Sequence, residues 1–299
     1  MDSIVALLST YNGSIFLKEQ LDSLDSQVGV EIKILVRDDG STDGTQELLD
    51  SLGTKMHLTW YQGKNIGPAM SFIDLIYNAP NAEYYAFCDQ DDVWMPDKLS
   101  VAIRKLKEAN ADFYYSAYTT VDENLNVLKA NIQKHHTDSL GESFVNLEVT
   151  GCTVVFTRKL LEDLRQYKPS NIMMHDSWVY KVALALGYKV VYDPLAHIFY
   201  RQHKNNVIGA KSDFLKKWKD RYNRWFLNVT ECRYNEILCL YKGYYRSLPQ
   251  NSLSIIEPMI NYFDKSLIKR IGIALNKVYL TGKVKTDFIF ILSIITKRF

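Results

Sequence analysis

Residues 85–94 read YAFCDQDDVW, an apolar run that is typical of a buried strand, followed by Asp89, Asp91 and Asp92. Like charges repel one another where a strand leaves the core, so these carboxylates require a compensating group. A divalent cation such as Mg²⁺ or Mn²⁺ binds oxygen ligands of this kind together with a substrate's phosphates. The alternative is that Asp91 or Asp92 only caps the turn that follows, and this stretch alone leaves both interpretations open.

Three more apolar segments lie upstream, and each ends in a polar turn before a helical pattern begins. The turns read STYNG at 9–13, VRDDGSTDGT at 36–45 and KNIG at 64–67. In the second turn, Asp43 stands three residues before Gln46, a spacing that predicts a variant of the capping box at a helix start. Strands alternating with helices predict an α/β fold with a mainly parallel central sheet. Because ligands bind beyond the carboxyl ends of such strands, the four turns are expected to surround one site.

The pattern changes further along the chain. Between residues 100 and 210 helical and strand-like segments are mixed, and KVVYDP at 189–194 and AHIFYRQH at 196–203 are interpreted as two separate strands. From Lys211 on, the sequence is helical and rich in aromatic residues. We therefore expect an α/β domain over residues 1–210 and a helical extension over 211–299.

Composition excludes several classes of protein. A length of 299 residues with 47% hydrophobic residues can bury a full core, and a net charge of +2 does not indicate a nucleic-acid partner. Four scattered cysteines favour a reducing, cytoplasmic compartment. The N-terminal MDSIVALLSTYNG lacks the basic start of a signal peptide, and FIFILSIIT at 288–296 is short of the roughly 20 apolar residues of a membrane span.

Taken together and in this order, the four turns resemble the signature of family 2 glycosyltransferases with the GT-A fold. The matching segments are STYNG, VRDDGSTDGT, KNIGPAMSFI and CDQDDVWMPDKL, and the resemblance covers about residues 1–205. It implies a metal-dependent hexosyltransferase that uses Mn²⁺ or Mg²⁺ and moves a sugar from a nucleoside diphosphate to an acceptor hydroxyl with inversion. The helical remainder carries no general family motif.

The resemblance also implies roles for individual residues. It assigns nucleotide binding to Thr10, Tyr11, Asn12, Asp38 and Asp39, ribose and metal contacts to Asp89 and Asp91 respectively, and the donor sugar to Asp92.

Two later segments extend the implied site. Asp176 in MMHDSWVYKVAL matches the catalytic carboxylate that deprotonates the acceptor, although its position alone favours helix capping, and His175 departs from the family's usual Glu. In YRQHKNNVIG, the resemblance makes His203 a further metal or diphosphate ligand and puts Arg201 near the phosphates. The alternative for His203 is a solvated surface loop.

The phrases YRQHKNNVIG and FCDQDDVW are similar to those of bacterial rhamnosyltransferase-like members. This resemblance favours dTDP-L-rhamnose as donor, with a UDP-hexose next, and a lipid-linked saccharide acceptor in cell-surface polysaccharide synthesis. The rivals are a sugar nucleotidyltransferase, whose first loop would be rich in Gly and Lys or Arg, and a non-catalytic nucleotide-binding scaffold.

The C-terminal segment is strongly basic. From Lys265 to Phe299 there are eight Lys or Arg residues against one acidic residue, Asp287. Basic residues interleaved with apolar ones predict either docking to the inner face of the cell membrane or a homodimer interface.

Overall fold

The computed structural model describes residues 1–53, 56–170, 172–203 and 229–299, with side chains from 233 in the last range. The first part of the predicted helical extension, from Lys211 to 228, lies outside the described residues. By contacts, the chain divides into two compact units. The first comprises Met1–Lys134, Val149–Arg165 and Lys189–Gly209, and the second comprises His135–Glu148, Gln166–Tyr188 and Ala210–Phe299.

The strands and helices of the described chain are as follows. The strands are β1 (Asp2–Thr10), β2 (Val30–Asp38), β3 (Leu58–Gln62), β4 (Tyr84–Cys88), β5 (Val93–Trp94), β6 (Phe113–Val121), β7 (Val127–Ile132), β8 (Val155–Thr157) and β9 (Val190–Arg201). The helices are α1 (Leu17–Asp25), α2 (Thr45–Gly53), α3 (Pro68–Asn78), α4 (Lys98–Ala109), α5 (Leu140–Val145), α6 (Arg158–Leu164), α7 (His175–Ala185), α8 (Val229–Tyr244), α9 (Gln250–Ile260), α10 (Leu267–Ala274) and α11 (Val284–Ile295).

The first four strands form the parallel part of the sheet, as predicted, in the order β3-β2-β1-β4. In β1, β4 and the second half of β2 the side chains are buried on both faces, which is why these segments read as continuous apolar runs, whereas in the edge strand β3 only Leu58 is buried. The register pairs Thr10 with Asp38, Asp38 with Gln62, and Leu8 with Cys88. The four polar turns therefore leave the sheet at the same edge.

Beyond β4 the sheet is mixed. Strand β8 is antiparallel to both β4 and β6, β9 is parallel to β6, and β5 is antiparallel to β9. The two predicted strands at 189–194 and 196–203 form one strand, β9, whose register with β6 shifts between Asp193 and Ala196. Pro194 lies in this shift, since a proline cannot donate to a strand neighbour and is tolerated where the pairing is interrupted.

The start of α2 differs from the predicted capping box. Asp43 accepts hydrogen bonds from the backbone N–H of Thr45 at 3.2 Å and from its hydroxyl at 2.5 Å. The side chain of Gln46, however, donates to Asp38 at 2.8 Å. The predicted pairing of Asp43 with Gln46 is therefore wrong, because the second turn uses Gln46 to hold its own aspartate.

In the second unit, helices form a core around α7 and α8. The ammonium group of Lys181 binds the carboxylate of Glu236, and both side chains are buried. Trp178 packs against Tyr244, with ring centroids 6.3 Å apart. Among the helices that the structure describes, none has both the length and the apolar character that a bilayer crossing requires.

Candidate active site

Gln90 joins the first turn to the fourth. Its side-chain oxygen accepts a hydrogen bond from the Thr10 hydroxyl at 2.7 Å and another from the backbone N–H of Tyr11 at 2.8 Å. A Cβ on Gly13 would collide with this amide group, so the glycine of STYNG permits the close approach. The Tyr11 side chain is 48% exposed beside this contact. Gln90 was not among the site residues predicted from the sequence, although Gln90 stands between the first two aspartates of the fourth turn.

Asn12 links the first turn to the second. Its backbone has φ of 49°, in the left-handed region that asparagine tolerates better than most residues. Its N–H donates to the Ser41 hydroxyl at 2.8 Å, and its side-chain oxygen accepts from the Thr42 N–H at 2.9 Å. Ser41 in turn donates its own N–H to the carboxylate of Asp38 at 3.0 Å. Asp38 is fully buried, so its carboxylate fixes the shape of the second turn.

Asp39 performs a similar role toward the third turn. Its carboxylate pairs with Arg37 and accepts hydrogen bonds from the backbone N–H groups of Ile66 and Gly67, both at 3.0 Å. Only 3% of Asp39 is exposed. Together with the contacts of Gln90 and Asn12, these hydrogen bonds connect all four polar turns to one another.

Asp91 and His203 meet at the fourth turn. The Nε2 atom of His203 lies 2.7 Å from an Asp91 carboxylate oxygen, and the imidazole packs on Phe16 with ring centroids 5.0 Å apart. Both predicted metal ligands are therefore in direct contact, and both are only partly exposed.

This pair fits a divalent cation. Two ligand atoms about 2.1 Å from one octahedral ion lie about 3 Å apart, close to the spacing of these two atoms. A carboxylate suits Mg²⁺ and Mn²⁺, whereas an imidazole nitrogen suits the transition metals better. Between the two expected ions, the donor set therefore favours Mn²⁺.

Arg201, the predicted phosphate contact, is engaged by protein groups. It is 1% exposed, and its Nε donates to the backbone carbonyl of Asp91 at 2.8 Å. The other guanidinium nitrogens bind the Glu123 carbonyl and the Glu19 carboxylate. Arg201 therefore holds the backbone of the fourth turn.

Asp92 is the fully buried member of the three carboxylates. One of its oxygens accepts from the backbone N–H of Arg201 at 3.1 Å, and the Cys152 thiol also lies against the carboxyl group. Burial, together with the neighbouring charges of Asp91 and Asp89, raises the pKa of Asp92 well above its ordinary value. Through the hydrogen bond to Arg201, Asp92 connects the fourth turn to the end of β9.

Lys98 is a buried cation behind the same turn. It is 1% exposed, and its Nζ lies 3.4 Å from the centroid of the Trp94 ring. Burial lowers the pKa of Lys98 to about 8, although the nearby Asp92 carboxylate opposes the shift. Lys98 was not among the site residues predicted from the sequence. Its burial could have been predicted, because Lys98 stands four residues before Ala102 and therefore lies on the apolar face of α4.

The predicted catalytic Asp176 belongs to the second unit. It is the second residue of α7, is 9% exposed, and accepts the backbone N–H of Ser177 at 2.7 Å. A helix N-terminus favours a carboxylate at this position. His175 beside it is 3% exposed, and burial lowers its pKa to about 3, so its imidazole is neutral at pH 7.

Comparisons with known proteins identify the family. A family model described as Glycosyl transferase family 2 matches residues 6–165. The dTDP-rhamnosyl transferase RfbG of Shigella flexneri is 30% identical over 238 residues, which cover 73% of this chain and 80% of that protein.

Two solved structures are similar in fold. S. aureus TarS in complex with UDP has a TM-score of 0.58 and 18% identity, covering 99% of this chain and 80% of that one. The mannosyltransferase PcManGT from Pyrobaculum calidifontis, in complex with GDP-Man and Mn²⁺, has a TM-score of 0.53 and 18% identity, covering 99% and 86%. These likenesses confirm the GT-A fold. Because the family model matches more than half of the residues, the chain belongs to glycosyl transferase family 2.

Proposed function

We propose that the chain is an inverting glycosyltransferase that moves a sugar, with L-rhamnose favoured over a hexose, from a nucleoside diphosphate to a lipid-linked saccharide. The process it serves would be bacterial cell-surface polysaccharide synthesis at the inner face of the membrane. The contact of Asp91 with His203 at 2.7 Å, among four interlocked turns, carries the proposal. The name of the S. flexneri relative supports dTDP-rhamnose as donor.

The nucleotide would bind over the first turn. Tyr11 offers a partly exposed aromatic ring for a base, next to the polar groups of Thr10 and Asn12. Asp38 and Asp39 are buried and bonded to the loop, so their contribution would be to hold its shape. Asp89, which is partly exposed, would face the ribose.

The diphosphate would lie near the fourth turn. Asp91 and His203 would hold Mn²⁺ or Mg²⁺, and the bound ion would act as a Lewis acid toward the leaving diphosphate. Arg201 and Asp92 would keep this turn in place through the contacts described above, rather than touch the donor.

Asp176 would serve as the general base. The acceptor oxygen forms a bond to the anomeric carbon, the bond from that carbon to the diphosphate oxygen breaks, and the acceptor proton passes to the Asp176 carboxylate. Two features support this role: the match to the family motif, and a helix N-terminus that favours the charged carboxylate. A neutral His175 adds no positive charge beside it.

The test compares two single variants. One is Asp176→Asn, and the matched control is Asp25→Asn, which changes an exposed carboxylate of α1. Each protein is incubated with Mn²⁺ and a panel of dTDP-, UDP- and GDP-sugars, and thermal shift and nucleoside diphosphate release are measured. We expect one donor to stabilise both variants, about 2.7 kcal/mol at a concentration of 100 Kd. Transfer should fall by about 10²-fold or more only in Asp176→Asn.

Three outcomes would contradict parts of the proposal. Equal turnover in Asp176→Asn and Asp25→Asn would remove Asp176 from the mechanism. Stabilisation by a donor without any release of diphosphate from the unsubstituted chain, with saccharide acceptors present, would favour the non-catalytic scaffold. Stabilisation by UDP- or GDP-sugars alone would rule out dTDP-rhamnose.

A further inference from the structure

Helices α10 and α11 expose an unusual number of apolar side chains. Seven of the seventeen large hydrophobic side chains that are exposed in the described residues lie between 267 and 292. They are Leu267, Ile268, Ile271, Leu275, Val284, Phe288 and Leu292. Ile268 is 82% exposed and Val284 is 86% exposed, so these are not the edges of buried residues.

The exposed side chains follow helical spacing. Leu267, Ile271 and Leu275 recur every four residues, and Val284, Phe288 and Leu292 do the same. Residues four apart lie on the same side of a helix. An ordinary surface helix turns its polar side to water, whereas each of these helices turns an apolar stripe outward.

The opposite side of α11 is packed, and α10 is bonded to α11, so the exposure does not come from loosely held ends. Phe290 and Ile294 are buried, and the Phe290 ring lies 5.8 Å from that of Tyr279. Arg270 of α10 donates to the backbone carbonyl of Ile295 in α11. The two stripes are therefore presented by helices that are fixed to each other.

Exposed basic residues alternate with these apolar residues along the same segment. The exposed lysines of this segment are Lys265, Lys269, Lys277, Lys285 and Lys297. The acidic residue Asp287 is used locally, because its carboxylate accepts from the N–H and the hydroxyl of Thr281, both at 2.8 Å. We call the exposed apolar residues and these lysines together the apolar-basic face.

We propose that the apolar-basic face binds the surface of a membrane that contains anionic phospholipid. Apolar side chains enter the boundary between headgroups and acyl chains, while lysines remain beside lipid phosphates. A helix of twelve residues is about 18 Å long, which suits lying in this layer. The face binds lipid whether or not the chain transfers sugar.

Charge decides between a membrane and a second copy of the chain. In a two-fold dimer the same patch meets itself, so the lysines of one copy would face the lysines of the other. Lysine is also depleted from the cores of protein interfaces. An anionic lipid surface complements the charge of the face instead of repeating it.

The test is co-sedimentation of the full chain with vesicles, without nucleotide sugar, acceptor or metal, so that its result is independent of the proposed function. One set of vesicles is phosphatidylcholine and the other is phosphatidylcholine mixed with phosphatidylglycerol. We expect binding to the mixed vesicles, with about tenfold weaker binding after raising the salt from about 0.1 M to about 1 M.

Two double variants separate the apolar from the electrostatic contribution of the apolar-basic face to vesicle binding. Ile268→Ser with Phe288→Ser removes apolar contacts, and Lys269→Glu with Lys285→Glu reverses charge. Each should weaken partitioning by about tenfold or more. Val127→Ser with Leu128→Ser, which changes exposed apolar residues of β7, is the matched control and should leave partitioning unchanged.

Unchanged melting temperatures and circular dichroism spectra would show that the variants remain folded. Absence of binding by the unsubstituted chain, or equal loss in the β7 control, would overturn the proposal. A third result would also overturn it: light scattering shows that the unsubstituted chain is a dimer that does not bind vesicles, and that Ile268→Ser with Phe288→Ser makes it a monomer. That last result would assign the face to self-association.

Discussion

At the scale of single residues, the contact of Asp91 with His203 leads to a prediction about metal preference. We expect His203→Asn to lower the ratio of turnover with Mn²⁺ to turnover with Mg²⁺ by about tenfold. An amide oxygen replaces an imidazole nitrogen, and oxygen ligands suit Mg²⁺ whereas nitrogen suits transition metals. Binding of each ion is also measured by calorimetry in the presence of the nucleoside diphosphate. His136→Asn, in the second unit, is the control, and an unchanged ratio in His203→Asn would exclude His203 as a ligand.

The contact between Asp91 and His203 was more predictable from sequence than the contacts that support these two residues. His203 and Asp91 are 112 positions apart, and motif resemblance still paired them correctly in space. The resemblance did not predict that carbonyls and a carboxylate bind the Arg201 guanidinium, or that Gln90 connects two turns. Such roles depend on which groups the tertiary fold brings into contact, and the local spacing of residues does not predict those contacts.

At the scale of elements, β9 and α4 are joined by a charged cluster that should make stability depend on pH. His197 of β9 lies 3.3 Å from the Asp97 carboxylate at the start of α4 and 3.5 Å from Asp193. Hydrogen bonding to Asp193, and then to Asp97, raises the pKa of His197 above its ordinary value. Lys105 of α4 also lies 3.3 Å from Asp193.

The sign of this pH dependence follows from linkage. A raised pKa in the folded chain means that the stabilisation by His197 is complete below about pH 6.5 and is lost as the pH rises through the folded-state value. We expect the denaturant midpoint of the unsubstituted chain, measured relative to that of His197→Gln, to fall between about pH 6 and pH 8.5, because other titrating groups such as His175 are common to both proteins. His57→Gln changes an exposed histidine and serves as control. Identical pH profiles for the parent and His197→Gln would refute the linkage.

Strands β1 and β4 and the second half of β2 were predictable because both of their faces are buried, which leaves a continuous apolar run in the sequence. The continuity of β9 was not predictable, because Pro194 reads locally as a strand end. In the structure it lies in a register shift between Asp193 and Ala196, and pairing with β6 resumes beyond it. Long-range pairing overrides the local signal at this point.

At the scale of the whole molecule, the helices of the second unit bear on the proposed boundary near residue 210. Contacts group α7 with the C-terminal helices, in a unit that also contains residues 135–148. The pairs that connect α7 to α8 are Lys181 with Glu236 and Trp178 with Tyr244. Local patterning could not predict these pairs, since Lys181 and Glu236 are 55 positions apart.

We expect a fragment that ends at residue 210 to lose the structure of α7. The fragment lacks the whole of α8, so α7 loses both the Glu236 carboxylate that pairs with Lys181 and the apolar surface against which it packs. Trp178, which is 1% exposed, also loses the ring of Tyr244.

Limited proteolysis with mass spectrometry measures this loss. Cleavage within residues 166–188 should be about tenfold faster or more in the fragment than in the full chain, because an opening cost of several kcal/mol has been removed. In the full chain, Lys181→Met with Glu236→Leu provides a control, since apolar residues of similar volume can replace a buried ion pair with little loss. It should remain resistant. If α7 is as resistant in the fragment as in the full chain, residues 1–210 suffice to fold it, and the boundary near 210 separates two independent domains.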